Sequence, residues 1–164
     1  MRSLGLDVGD RRTGVAISDS EGILATPLAV IDSLGRDALV EKVLALVEEH
    51  KVGHVVVGLP RRLSGDLGGQ ADKVMVFMEK LSCLAKERSL SQLDIQLWDE
   101  RLSTKAAERL KTGPDSRRNS LHLRARRGGR NRSPSVKAEV DAIAAALILQ
   151  GFLDSQRLSS GEEL

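Results

Sequence analysis

The 164-residue chain is poor in aromatic residues: it has Trp98, Phe77 and Phe152 and no tyrosine. Three scattered rings do not make a platform on which single-stranded bases could stack, and they leave the core to aliphatic side chains. The single cysteine, Cys83, excludes an internal disulfide and a cysteine-based zinc site. Its place in a helix-like run is that of a small core residue. His50, His54 and His122 do not cluster in sequence. No apolar run reaches the roughly 20 residues needed to cross a bilayer. The first apolar stretch is short and broken by Asp7, unlike a secretory leader. The compartment expected is the cytoplasm, with no membrane partner.

What the chain does contain suits one domain with a real core. It is 41% hydrophobic and 29% charged, the balance of an ordinary globular protein. A net charge of +2 hides an uneven distribution. Arg117, Arg118, Arg124, Arg126, Arg127, Arg130 and Arg132 fall in one short segment that holds no Asp or Glu; taking these seven from the 25 Lys and Arg leaves 18 against 23 acidic residues, a net of −5. Basic charge gathered this way suits a polyanion, although a solvated loop would have the same composition.

Residues 4–8 and 13–17 are short apolar segments around a polar turn, the pattern of a β-hairpin. Residues 22–31 read as a third strand, and Pro27, which cannot donate to a ladder, places it at a sheet edge. Residues 37–50 carry Leu39, Val40, Val43, Leu46 and Val47 at the helical period. Residues 54–59 form the near-continuous apolar run of a strand buried on both faces. A Gly-rich polar loop, residues 61–69, then leads to a helix with Ala71, Val74, Met75, Met78, Leu81 and Ala85 as its inward stripe. Residues 93–98 read as the last strand and 105–111 as a short helix, stopped by Gly113-Pro114. Residues 114–135 read as a flexible Arg-rich loop. Residues 136–155 read as a long helix with Val140, Ile143, Ala144, Leu147, Ile148 and Phe152 or Leu153 inward, and 156–164 as a frayed tail. The domain thus spans 1–155. It is α/β: a three-strand antiparallel meander continued by parallel strands into a mixed five-stranded sheet, with helices on both faces.

Three acids fall at corresponding places in this order. Asp7 lies in the first strand, Glu100 just past the last strand and Asp141 early in the last helix. In an α/β sheet, sites gather at the carboxyl ends of parallel strands. A carboxylate in a central strand is costly unless something charged or hydrogen-bonding meets it. Three carboxylates without His or Cys form a hard oxygen site suited to Mg²⁺ or Mn²⁺, and two such ions can drive phosphodiester cleavage. Ala144 and Ala145 would let the helix come close enough to bring Asp141 to a shared point, given a slight rotation of the inward stripe. Each acid also has an ordinary alternative. Asp7 could pair with Arg11 or Arg12, Glu100 with Arg101, and Asp141 with Lys137 one turn back.

These residues carry a resemblance. The blocks Leu4-Gly5-Leu6-Asp7-Val8-Gly9 through Arg12-Thr13-Gly14-Val15-Ala16-Ile17-Ser18-Asp19, Val57-Gly58-Leu59-Pro60, Asp99-Glu100-Arg101-Leu102-Ser103-Thr104, and Val140-Asp141-Ala142-Ile143-Ala144-Ala145-Ala146-Leu147-Ile148-Leu149-Gln150 resemble the bacterial YqgF family, also called RuvX. The resemblance runs over residues 3–111 and 136–154. It implies a ribonuclease H-like fold and a metal-dependent nuclease that processes the 5′ end of pre-16S ribosomal RNA or resolves Holliday junctions. It places the acidic triad, catalytic and metal-binding for Mg²⁺ or Mn²⁺ (two ions), on Asp7, Glu100 and Asp141. Arg12 and Arg101 would contact phosphate. Arg61, Arg124, Arg126 and Arg127 join them as candidate nucleic-acid contacts, toward structured RNA or branched DNA. The basic segment 114–135 is longer than the family's usual loop. The expected assembly is a monomer or a homodimer.

Two other classes compete. Asp7-x-Gly9 followed by Gly14 on a hairpin resembles the first phosphate loop of actin-like ATPases, but those enzymes close two such domains around a nucleotide, and 164 residues supply one. A non-catalytic nucleic-acid-binding module would not need acids at all three positions.

Overall fold

The computed structural model describes residues 1–32, 35–59, 68–99 and 134–161. Strands β1 (Arg2–Val8), β2 (Arg12–Ser18) and β3 (Ala25–Asp32) come first. They are followed by α1 (Arg36–His50), β4 (Val52–Gly58), α2 (Gly68–Glu87), β5 (Asp94–Trp98) and α3 (Pro134–Gly161). The sheet order is β3-β2-β1-β4-β5. β1 pairs antiparallel with β2 and parallel with β4, β2 pairs antiparallel with β3, and β4 pairs parallel with β5. Only β2 runs against the other four, and β1 is central. Pro27 sits on edge strand β3 where the register shifts between Val15 and Ala16, so its missing N–H falls at an edge and an irregularity together.

The period-2 alternation of the central strands sorts two cores. Leu4, Leu6, Val15, Val55 and Val57 turn to one face and pack beneath α1 and α2, which contribute Leu39, Val40, Val43, Leu44 and Val47, and Val74, Phe77 and Leu81. Ala16 and Val56 turn to the other face and meet Ala145, Ile148, Leu149, Phe152 and Leu153 of α3. Phe152 meets Trp98 edge-on, their ring centroids 5.8 Å apart. Val55, Val56 and Val57 have no exposed surface, as a strand covered on both faces requires.

Several expectations are corrected. Met75 and Cys83 are exposed on α2; Phe77, absent from the expected stripe, takes the core position and turns both outward. On α3, Val140, Ile143 and Leu147 are exposed, while Ala142, Ala145, Ile148 and Leu149 are buried. The helix is rotated well beyond the slight turn expected. Its small residues face the sheet because there the sheet is lined by glycine and alanine. α3 also begins at Pro134, inside the expected loop, and continues to Gly161 where a frayed tail from 156 was expected. No proline or glycine interrupts residues 152–160, and the Ser155, Ser159 and Ser160 hydroxyls donate back to carbonyls of the preceding turn. The expected helix at 105–111 and most of the loops at 61–69 and 114–135 lie outside the described residues.

Candidate active site

Asp7 lies one residue from the carboxyl end of β1, on the α3 face, because Leu4 and Leu6 take the opposite face. Its cross-strand partner is Gly14. A β-carbon on Gly14 would collide with the backbone carbonyl oxygen of Asp141. The absence of a side chain at residue 14 therefore seats the α3 backbone directly on the strand beside Asp7. Gly5 does the same farther along, where a β-carbon would stand 2.6 Å from Leu149 Cβ. Two acids far apart in sequence are brought to neighbouring points by this close approach.

Arg12 opens β2 at the same end of the sheet. Its Nε lies 3.2 Å from Asp141 Oδ2, with the two side chains 29% and 32% exposed. A pair this exposed contributes at most about 1 kcal/mol to stability, but it fixes where Asp141 points. Arg12 is itself held by the turn, since the Gly9 N–H donates to its carbonyl at 3.0 Å. Asp141 thus has an ion-pair partner in Arg12; the side chain of Lys137, its expected alternative, lies outside the described ones.

Glu100, Arg61, Arg101, Arg124, Arg126 and Arg127 lie outside the described residues; the chain is described to Asp99, one residue past β5. The structure thus brings together Asp7, Asp141 and Arg12. Among the described residues no group of three or more His, Cys, Asp or Glu is placed to hold a metal ion, so a complete ligand set needs a further carboxylate. The donors present are hard carboxylate oxygens, which fit Mg²⁺ or Mn²⁺ and not a soft metal.

Sequence reasoning passed over the residues that hold α3 in place. Gln150 Oε1 accepts the Ala25 N–H at 2.9 Å, and its Nε2 donates to the Ile23 carbonyl and to Asp154 Oδ1, each at 3.0 Å. A lone amide on an otherwise apolar helical stretch was the available signal. The loop it grips is shaped by Asp19, whose Oδ1 accepts the Ile23 N–H at 2.7 Å. That hydrogen bond holds the Asp19 carboxyl below its ordinary value.

A family model described as "RuvX: Holliday junction resolvase" matches residues 1–155. The chain is 38% identical over 157 residues to a protein of Desulforudis audaxviator named "Putative pre-16S rRNA nuclease", covering 96% of each chain. It is 40% identical over 160 residues to a protein of the same name from Roseiflexus sp., covering 95% of this chain and 96% of that one. Among solved structures, the fold is similar to Thermus thermophilus RuvC in complex with a Holliday junction substrate, with a TM-score of 0.55 at 14% identity over 96% of each chain. It is also similar to the yeast mitochondrial Holliday junction resolvase Ydc2, with a TM-score of 0.53 at 14% identity over 92% of this chain and 77% of that one. At such identities these two likenesses bear on the fold, which is the ribonuclease H-like fold expected from the sequence. The family match and the relatives both name hydrolases of phosphodiester bonds, and the chain belongs to the RuvX family of nucleases.

Proposed function

We propose that the protein is a metal-dependent nuclease that processes the 5′ end of pre-16S ribosomal RNA in the cytoplasm, with Asp7, Glu100 and Asp141 as its catalytic carboxylates. The observation that carries this reading is the seating of Asp141 on Gly14, the cross-strand partner of Asp7. A fold with no use for two adjacent acids gains nothing from exposing them at the carboxyl end of its central strand. Two divalent ions, Mg²⁺ or Mn²⁺, held by the three acids would supply Lewis-acid stabilisation and a nucleophilic water at neutral pH.

The chain's own contribution is preorganisation. Asp7 is fixed by the central strand, and Asp141 by the α3 backbone and the Arg12 guanidinium. Arg12 neutralises Asp141 in the ion-free protein, so the two acids do not repel each other unopposed. The same guanidinium could also donate to a substrate phosphate. Arg101, Arg61, Arg124, Arg126 and Arg127 supply further positive charge along the nucleic-acid backbone, which strengthens binding without reading sequence.

The family description favours a second reading, resolution of four-way DNA junctions. That activity needs paired nicks and hence a two-fold homodimer, whereas a processing ribonuclease can act as a monomer. The test offers the purified protein a precursor-rRNA fragment and a four-way junction, with Mg²⁺, with Mn²⁺ and with chelator, and measures its mass in solution. Metal-dependent trimming of the RNA by a monomer is the expected result. Paired nicks in the junction by a dimer would replace the first reading with the second, and absence of metal-dependent cleavage of either would overturn both.

A further inference from the structure

On the other side of β1, a cavity of about 180 Å³ opens beside the same end of the sheet, lined by Val8, Gly9, Asp10, Arg36, Lys73 and Phe77 among others. Its walls are apolar where Val8 and Phe77 contribute, and its rim is charged. Arg36, the first residue of α1, is exposed at the mouth of the cavity. Lys73 Nζ reaches Asp10 Oδ1 at 2.9 Å across the opening, with both side chains more than half exposed. Asp10 follows Asp7 by three residues, so this basic rim and the acidic site share one turn of chain. Two cations at the mouth of one cleft, in front of apolar walls, suit an anionic group.

We infer that this cleft is a second anion site, in which Arg36 and Lys73 grip a backbone phosphate of the nucleic-acid strand that passes over Asp7 and Asp141. The inference rests on the nuclease reading for the identity of the strand. The cleft lies on the α1–α2 face and the acids on the α3 face, so the phosphate held here is not the one cleaved. A strand that spans both must cross the end of the sheet at the β1–β2 turn. Lys73 gives up its exposed pairing with Asp10 at little cost, because such pairs are weak in water. A phosphate group is the chemistry recognised, and neither base nor sugar is specified.

The test measures the affinity of the full-length protein for a 16-nucleotide single-stranded RNA across a KCl series, with chelator present so that no cleavage intervenes. Each phosphate contact removed lowers the slope of log affinity against log salt by about 0.7. The double variant Arg36→Gln/Lys73→Gln is expected to lose about 1.4 in slope, and the single variant Arg36→Gln, at an exposed position, about half of that. Arg88→Gln, just past the C-terminal end of α2, where the guanidinium pairs with Glu41 and Glu48 of α1, should leave the slope unchanged. An unaltered slope in Arg36→Gln overturns the cleft, as does wild-type protein that fails to bind the RNA. Wild-type protein that binds with the expected slopes yet cleaves nothing in Mg²⁺ or Mn²⁺ would refute the nuclease reading and leave the cleft standing.

Discussion

The two faces of the sheet are built from different residues for different purposes. Under α1 and α2 the strands present Leu4, Leu6, Val15, Val55 and Val57, large side chains that fill space and hold the helices off the sheet. Under α3 the same strands present Gly5, Gly14, Ala16 and Gly58, and the helix answers with Ala142 and Ala145. The first face gains stability from buried area. The second gives up much of that area to bring a helix backbone against a strand, and an acid on the helix beside an acid on the strand. A face lined with small residues in an otherwise bulky sheet therefore marks where position matters more than burial.

The largest effect expected from breaking this contrast is at residue 14. In an open strand, Gly→Ala stabilises by roughly 0.4–1 kcal/mol through the unfolded chain. Here the added methyl meets the Asp141 carbonyl and must push α3 away. Gly14→Ala should therefore cost about 1–3 kcal/mol as overpacking. It should also lower the cleavage rate about 10²-fold, since displacements near 1 Å carry that penalty. Denaturant melts and rates measured on the same preparation would check both. Leu44→Ala on α1, a fully buried position on the bulky face, should cost about 2–5 kcal/mol with the cleavage rate per folded molecule preserved. If Gly14→Ala behaved like Leu44→Ala, losing stability but not rate, the distinction between the faces would fail.

Much of this architecture is legible in the sequence because single residues forbid alternatives. Pro27 forces an edge, the polar turn after Val8 forces a hairpin, and the apolar run in β4 requires cover on both sides. The rotation of α3 was not legible. Residues 140–149 are almost wholly apolar, so the helical period selects no unique face. The choice rests on glycines of β1, β2 and β4, which become relevant only once the register is known. Likewise the Arg12–Asp141 pair joins residues on β2 and α3 that no local pattern connects. Cys83 and Met75 were misplaced because one aromatic, Phe77, outcompetes them for the core side of α2. Asp7 and Asp141 stand out in the sequence as acids among apolar residues, but their approach to one another was visible only through Gly14.

The smallest effect expected is electrostatic and lies on the bulky face. Asp37, in the first turn of α1, accepts a hydrogen bond from Lys80 of α2 at 2.7 Å, and this partner lowers its carboxyl pKa from the ordinary 3.8. A carboxyl lowered on folding contributes stability at pH values above its unfolded pKa and loses it as pH falls through the folded value. Asp37→Asn should therefore lower the Tm slightly at pH 7, and the difference should shrink as the pH falls through the folded pKa of the wild-type group. A difference in Tm that persisted at low pH would mean that the position acts through packing and not through charge.

The central claim is that Asp7 and Asp141 are seated together to hold divalent metal, and calorimetric titration of Mn²⁺ into wild-type, Asp7→Asn and Asp141→Asn protein tests it most directly. The account predicts saturable binding by the wild type, loss of that binding in each variant at unchanged fold, and equal loss when the two changes are combined, because residues acting as one unit do not add. Wild-type affinity retained in Asp7→Asn would contradict it.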